Sequence, residues 1–157
     1  QIYFSASAPN NTTNYFLNCA DTGAARARIE SNGNLQNQNN SYGSISDLKL
    51  KENIADSGSQ WDDIKAVKVK KFSLKSDKKD TANMLGVIAQ DLEASGMSGL
   101  VYESIDTTSD ADEGVKDLGT TTKTVKYSIL YMKAVKALQE AMDRIETLET
   151  KVAALEG

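Results

Sequence analysis

The chain contains no histidine and only one cysteine among its 157 residues. Without histidine, a Ser-His-Asp triad, a Cys-His dyad and a histidine-ligated metal site cannot form. The single cysteine, Cys19, excludes an intrachain disulfide and a cysteine-rich zinc site. There is also no glycine-rich motif of the kind that cradles phosphates. Any catalysis must therefore use carboxylates, lysines and hydroxyl groups, and we expect no metal and no cofactor.

Positive charge and long apolar runs are scarce as well. The net charge of −4 and the pI near 4.9 argue against a nucleic-acid partner, which would favour a basic surface. No apolar run approaches the ~20 residues that span a bilayer, so we expect a soluble chain without a membrane partner. The sequence begins at Gln1 with neither Met nor a signal-peptide pattern, and we therefore expect a piece of a longer protein.

The first region, residues 1–45, is rich in Asn, Ser and Thr and poor in large apolar residues. Asn32 and Gly33 predict a hairpin with a type I′ turn, because this pair readily supplies two positive φ angles. The apolar content is too low for a private core. The region is therefore either disordered or shares a core with other chains, as the interleaved strands of fibrous trimers do.

The second region, residues 46–127, is typical of a small mixed α/β domain. The apolar spacing of residues 66–74 suggests a half-buried strand whose parity changes, which a β-bulge near Lys70 and Lys71 would explain. The other expected elements are a helix or turn at 61–64, a charged turn at 75–83, a short apolar run at 84–88, a helix at 89–95 ended by Gly96, strands at 100–102 and 122–127, and a mobile acidic loop at 105–119.

From Ser128, a fair N-cap, the pattern predicts one long helix of roughly 28 residues. Apolar residues recur at heptad spacing and form one narrow seam: Leu138, Ala141, Ile145, Leu148, Val152 and Leu155. Such a seam needs partner helices. Its mixture of β-branched residues and Leu leans weakly towards a dimer, and so few heptads leave the number of helices open.

Three separated motifs resemble one known family. Ser46 and Asp47 open a run that continues through Lys49, Leu50 and Lys51 to Ile54. Gly-Val-Ile-Ala-Gln follows at 86–90, and Tyr-Ser at 127–128 begins the long helix. In this order the motifs resemble the intramolecular chaperone auto-processing domain, a self-cleaving serine peptidase. Such domains end phage endosialidases, tailspikes and tail fibres, and one lies within myelin regulatory transcription factors. The family commonly has Arg where this chain has Lys49.

The resemblance implies an α+β homotrimer with an intertwined, triple-β-helix stalk, a small α/β chaperone domain and a trimeric coiled coil. Residues 1–45 would end the stalk, 46–127 would form the globular chaperone, and 128–157 would form the coiled-coil helix. Cleavage would fall between Ile45 and Ser46. Ser46 would be the nucleophile, Lys51 the general base and then acid, and Asp47 a supporting hydrogen-bond partner.

The implied function is an intramolecular chaperone that trimerises, aligns the upstream stalk and then releases itself by a single self-cleavage. Its partners would be two further copies and the upstream part of its own polypeptide. It would belong to a virion tail-fibre precursor assembled in the host cytoplasm. A second hypothesis is a structural trimeric fibre tip that never cleaves. A membrane-bound regulator like the myelin factors is less favoured, because the upstream segment is fibre-like and no membrane span follows.

Each motif residue also has an ordinary structural interpretation. Ser-Asp before a charged stretch usually caps a helix or turn. Lys51 taken alone resembles a solvated surface lysine, and Gln90 and Asp91 resemble residues that begin a helix. The cluster of Lys68, Lys70 and Lys71 is most simply the wet face of a strand, and residues 110–114 lack the ligand spacing of a calcium loop.

Overall fold

The computed structural model describes residues 9–75, 84–110 and 114–156. The fold is mixed α/β, with small antiparallel sheets and a long C-terminal helix. The chain divides into two compact units, Gln1–Ile54 and Ala55–Gly157. The boundary expected before Ser46 lies inside the first unit, and the functional division into stalk, chaperone and coiled coil stays a prediction.

The first unit contains a three-stranded antiparallel sheet. Its strands are β1 (Tyr15–Ala20), β2 (Ala25–Glu30) and β3 (Leu35–Asn37), paired in that order. Between β1 and β2, the Asp21 carboxylate accepts the backbone N–H groups of Gly23 and Ala24 at 2.8 and 2.9 Å. These bonds, together with Arg26, hold the pKa of Asp21 below its ordinary value. Most side chains of the sheet remain at least partly exposed, as expected for a segment without a core of its own.

The hairpin predicted around Gly33 is present, but its turn type differs from the prediction. The backbone N–H of Gly33 donates to the carbonyl of Glu30 at 3.0 Å, and the N–H of Glu30 donates to Asn34 at 2.9 Å. Gly33 has a φ of 89°, whereas Asn32 is not among the residues with positive φ. A three-residue loop with one left-handed glycine therefore replaces the type I′ turn.

The second unit contains the remaining helices and strands that the structure describes. Along the chain these are α1 (Trp61–Ala66), β4 (Lys70–Phe72), β5 (Met84–Gly86), α2 (Ala89–Ala94), β6 (Val101–Asp110), β7 (Gly114–Val125) and α3 (Tyr127–Glu156). Strand β4 pairs with β5, and β6 pairs with β7, both antiparallel. The predicted helices at 61 and 89 are confirmed, and Gly96, with a φ of 84°, follows α2 as expected.

Three expectations for this unit were wrong. Strand β4 pairs in regular register with β5, so Lys70 and Lys71 form no bulge; the parity change arises because residues 67–69 precede the strand. The expected loop at 105–119 is instead part of the β6–β7 hairpin, although residues 111–113 lie outside the described chain. Helix α3 starts at Tyr127, so Ser128 lies within the helix. Most of the charged turn expected at 75–83 also lies outside the described residues.

The core of the second unit is small and is built around α2. Leu92 is almost completely buried and packs with Val87, Met97, Leu100 and Leu130. Four partly buried side chains extend this cluster: Ile64, Val67, Val101 and Val125. Apolar burial at one end of α3 therefore anchors the helix to the globular part.

Polar contacts attach α1 to α3 as well. The Lys133 ammonium lies 2.6 Å from the Asp63 carboxylate. Glu140 accepts the Ser59 hydroxyl at 2.6 Å and the backbone N–H of Gln60 at 2.8 Å. These two hydrogen bonds lower the pKa of Glu140, and the second satisfies a backbone donor at the start of α1. The α1 helix, which has no side-chain cap of its own, is thus capped from α3.

The predicted seam lies on the exposed part of α3. Five seam residues are more than half exposed in the single chain: Leu138, Ile145, Leu148, Val152 and Leu155. None of the helices in the described ranges is long and apolar enough to cross a membrane. The apolar stripe of α3 is narrow and is flanked by charged residues, which is the pattern of a helix that associates with other helices.

Candidate active site

A single tight turn shapes the chain at the expected cleavage junction. The Asp47 carboxylate accepts the backbone N–H of Lys49 at 3.0 Å and caps a 3-10 turn over Leu48–Leu50. The N–H of Lys51 closes that turn by donating to the carbonyl of Leu48 at 3.0 Å. Lys51, directly after the turn, has an extended backbone conformation.

The turn brings Ser46 and Lys51 together. Lys51 Nζ donates to Ser46 Oγ across 2.6 Å, although five residues separate them. This distance lies within the range needed for direct proton transfer between a nucleophile and its base. The pair can therefore move a proton between hydroxyl and amine in one step whenever the lysine is neutral.

The residues beside this pair are open to solvent. Ile45, on the other side of the expected scissile bond, is 84% exposed, and both Ser46 and Lys51 are exposed. Water stabilises the charged form of a lysine, which is the form that cannot accept a proton. The geometry of the pair is thus assembled in a single chain, while the dry surroundings that favour a neutral amine are not.

Asp47 and Lys49 interact with each other beside the pair. The Lys49 ammonium lies 3.4 Å from the Asp47 carboxylate, and both side chains are largely exposed. Such surface ion pairs contribute little to stability. The Asp47 carboxylate partly compensates the positive charge of Lys49 beside the pair. Asp47 serves the site mainly by capping the turn.

The second and third motifs contact each other in the second unit. The Tyr127 hydroxyl accepts the backbone N–H of Val87 at 3.3 Å. A Cβ on Gly86 would lie 2.8 Å from the Tyr127 hydroxyl oxygen and 3.2 Å from the Phe72 ring, so only glycine fits without a shift. This contact joins a glycine and a tyrosine that stand 41 residues apart in two of the motifs, a connection that the sequence could not show.

The other polar residues singled out from the sequence have structural partners. Asp91 lies in the first turn of helix α2 and 2.6 Å from the Lys70 ammonium, which holds the pKa of that carboxyl below its ordinary value with help from Lys68. Lys70 therefore belongs to an ion pair rather than to a merely wet strand face. Gln90 lies exposed in the same helix. Within the described ranges, no cluster of three potential metal ligands occurs.

One family model matches the stretch that carries the first two motifs. Residues 46–102 match the sequence model of a family described as the chaperone of endosialidase and classed among the peptidases. The match begins at Ser46, the residue chosen as nucleophile, and covers 57 of the 157 residues. The match covers less than half of the chain and supports an intramolecular chaperone domain of the phage tail-fibre and endosialidase type at residues 46–102. Among curated proteins, no significant match was found.

Proposed function

We propose that this chain assembles as a parallel trimer, aligns the fibre segment upstream of Ser46, and then detaches by cleaving the bond between Ile45 and Ser46. One observation supports the chemistry above all others. Lys51 Nζ and Ser46 Oγ lie 2.6 Å apart at the first residue of the family match. Lys51 also closes the turn through its backbone N–H, while its side chain contacts the Ser46 hydroxyl.

The reaction starts with neutral Lys51 removing the proton of the Ser46 hydroxyl. Ser46 Oγ then attacks the carbonyl carbon of Ile45, the residue directly before it. When the tetrahedral intermediate collapses, the carbon–nitrogen bond breaks, and Lys51 returns the proton to the departing nitrogen. Ile45 is now joined to Ser46 Oγ as an ester, which water hydrolyses to a free carboxylate and the original hydroxyl.

The absence of histidine and the exposed site are compatible with one slow turnover. A carbonyl attacked by the neighbouring side chain needs no diffusional encounter, which removes about 7–11 kcal/mol of the barrier. Cleavage within minutes is still possible with an activation barrier of about 21 kcal/mol, which would be too high for an enzyme that turns over repeatedly. A strongly activated nucleophile is therefore unnecessary.

Assembly is proposed to switch the reaction on. In the single chain, Ile45, Ser46 and Lys51 are all exposed to water. Burial of this turn against neighbouring chains would favour the neutral amine. Cleavage would then report that three chains have come together, and it would follow assembly rather than precede it.

The proposed chaperone action is to raise local concentration. Interleaved strands form many contacts between distant residues and fold slowly. Three chains joined by α3 present their upstream segments to one another at a high effective concentration, which favours the aligned pairing. Removal of the chaperone afterwards closes the route by which the fibre folded, and the fibre gains kinetic stability.

The test compares intact masses over time for the unsubstituted protein and three variants: Ser46→Ala, Lys51→Ala and Lys51→Arg. The unsubstituted protein should divide after Ile45, whereas all three variants should remain full-length trimers. Arginine keeps the positive charge but has no accessible neutral form, so Lys51→Arg separates proton transfer from charge. Normal cleavage in either Lys51 variant would remove this lysine from the mechanism.

The exposure of the pair also favours a second candidate, a trimeric fibre tip that keeps its helix and never cleaves. In that case the unsubstituted protein would stay intact for days at the concentration at which it is fully trimeric. The Ser46–Lys51 hydrogen bond would then be an ordinary surface contact of a capped turn.

A further inference from the structure

Helix α3 presents two neighbouring stripes of side chains. One stripe contacts the globular part of its own chain and consists of Leu130, Lys133, Ala137, Glu140 and Arg144. Leu130 and Ala137 are buried, and Arg144 lies over the Trp61 ring at 3.9 Å. The other stripe is the exposed seam. The chain's own domain therefore occupies one flank of the seam and leaves the opposite flank free.

The seam continues into a groove of the globular part. One heptad before Leu138 and Ala141 stand Tyr131 and Ala134, and both line an apolar groove of about 360 Å³. Leu130 lies in the same groove, whose other side is formed by β5 and the segment before β4. Its most exposed apolar residues are Leu85, Val69 and Tyr131, at 71, 63 and 59%. Since the groove is continuous with the seam, the helices that cover the seam must also pass beside the groove.

The residues that flank the seam show which helix arrangement suits the chain. In a parallel, aligned coiled coil, the residue that directly precedes the first seam position of each heptad faces a residue on the neighbouring helix. The facing residue has a sequence number that is higher by five. This rule pairs Leu130 with Val135, Ala137 with Met142, Arg144 with Glu149, and Lys151 with Glu156. Two pairs are apolar and two join opposite charges. An antiparallel arrangement would instead place Glu near Glu and basic residues near basic residues.

Val135 and Met142 lie on the free flank of the seam and are 48 and 54% exposed in the single chain. Two heptads further on, the equivalent positions are Glu149 and Glu156. The apolar face of α3 is thus wider beside the groove and narrower beyond it. Such widening is expected where a helix packs against a second surface in addition to the seam.

We infer that the groove is an interface between copies: Val135 of one chain packs into the groove of the neighbouring chain, beside Leu130 and against Leu85. This inference rests on the parallel self-association in the proposed function and adds the surface through which the globular parts join it. Each globular part is then fixed to two helices, its own and a neighbour's, so that assembly orders the domain as well as the stalk.

Charge substitutions across the groove test the inference in full-length Ser46→Ala protein, so that cleavage does not change the mass. Val135→Lys and Leu85→Glu should each raise the dissociation constant of the oligomer at least about tenfold, measured by sedimentation equilibrium. That factor corresponds to about 1.4 kcal/mol. The double variant should recover part of the loss, because the two introduced charges attract one another. Met132→Lys is the matched control: Met132 is equally apolar and 64% exposed on α3, but it faces away from seam and groove.

The inference is overturned if Val135→Lys and Leu85→Glu associate like the parent, or if the double variant recovers nothing. Circular dichroism on every variant confirms that the fold survives, as expected for exposed positions. Ile145→Asp, in the seam itself, separates this failure from a failure of the proposed function. If Ile145→Asp dissociates while the groove variants do not, self-association stands and the groove proposal is wrong. If the parent is already monomeric, both are wrong.

Discussion

Substituting Gly86→Ala should destabilise the second unit through one identifiable contact. The added Cβ would lie 2.8 Å from the Tyr127 hydroxyl oxygen, closer than carbon and oxygen can approach, and 3.2 Å from the Phe72 ring. Overpacking of this kind costs about 1–3 kcal/mol, whereas alanine regains about 0.4–1 kcal/mol by restricting the unfolded chain. The displaced tyrosine would also stop accepting the N–H of buried Val87. The net loss should be about 1–2 kcal/mol.

A double-mutant cycle shows whether the tyrosine hydroxyl causes this loss. Tyr127→Phe removes the nearest atom, so Gly86→Ala should cost less than about 1 kcal/mol in that background. Tyr127→Phe alone should cost about 1 kcal/mol, because the Val87 N–H loses its acceptor. Urea unfolding followed by circular dichroism measures all four proteins, at one protein concentration because association shifts apparent stability. Equal penalties for Gly86→Ala in both backgrounds would show that the tyrosine hydroxyl does not cause the loss.

Three further predictions concern the capped turn, a hydrogen-bonded carboxylate and an ion pair. Asp47→Ala should slow cleavage roughly fivefold by removing a cap worth about 1 kcal/mol, whereas Asp47→Asn, which can still cap, should cleave nearly normally; the rate is read by intact mass. The Ser59 hydroxyl donates to Glu140 and lowers the pKa of that carboxylate. The stabilisation that the ionised Glu140 contributes is therefore fully present above the ordinary pKa of 4.5 and is lost as the pH falls through the lowered pKa. Thermal melts on both sides of pH 4.5 should therefore show a weaker acid dependence for Glu140→Gln. Lys123 pairs with Glu93 at 2.7 Å, which raises the pKa of the lysine. The stabilisation from this ion pair is therefore full below pH 10.5 and is lost as the pH rises through the raised pKa. Lys123→Gln should remove this loss of stability at alkaline pH.

Each of these predictions can fail in a distinct way. Equal cleavage rates for the Ala and Asn variants of Asp47 would show that capping does not position the pair. An unchanged acid dependence in Glu140→Gln would mean that its hydrogen bonds are no stronger in the folded state than in water. An alkaline melting curve of Lys123→Gln that parallels the parent curve would assign that transition to another group.

The sequence predicted those parts of the fold whose residues repeat at a regular period or end at a glycine. The seam of α3 follows a heptad, and α2 is a short helix followed by a positive-φ glycine at Gly96. The expected strands at 100–102 and 122–127 lie at the base of the β6–β7 hairpin. Its outer part was missed because the strands there are polar on both faces and lack the alternation that marks a half-buried strand. Cross-strand side-chain contacts join them instead, such as Thr120 donating to Asp106 at 2.7 Å. When two exposed strands pair, the hydrophobicity pattern of the sequence gives little indication of it.

The candidate site was only partly predictable from the residues. A spacing of five residues between Ser46 and Lys51 does not by itself bring two side chains together; the turn capped by Asp47 does so. The resemblance supplied the roles, and local backbone geometry supplied the contact. The Gly86–Tyr127 contact and the capping of α1 by Glu140 join residues far apart in the chain, so they could be seen only once the chain was folded.

Self-cleavage before Ser46 is best tested by identifying the amino terminus of the newly formed fragment. When purified trimer is incubated and its fragments are sequenced from their amino ends, the account predicts one new sequence that begins at Ser46, with its partner fragment ending at Ile45. The same incubation of Ser46→Ala protein should yield no new terminus. A new terminus at any other residue, or the same terminus appearing in the Ser46→Ala protein, would contradict the account.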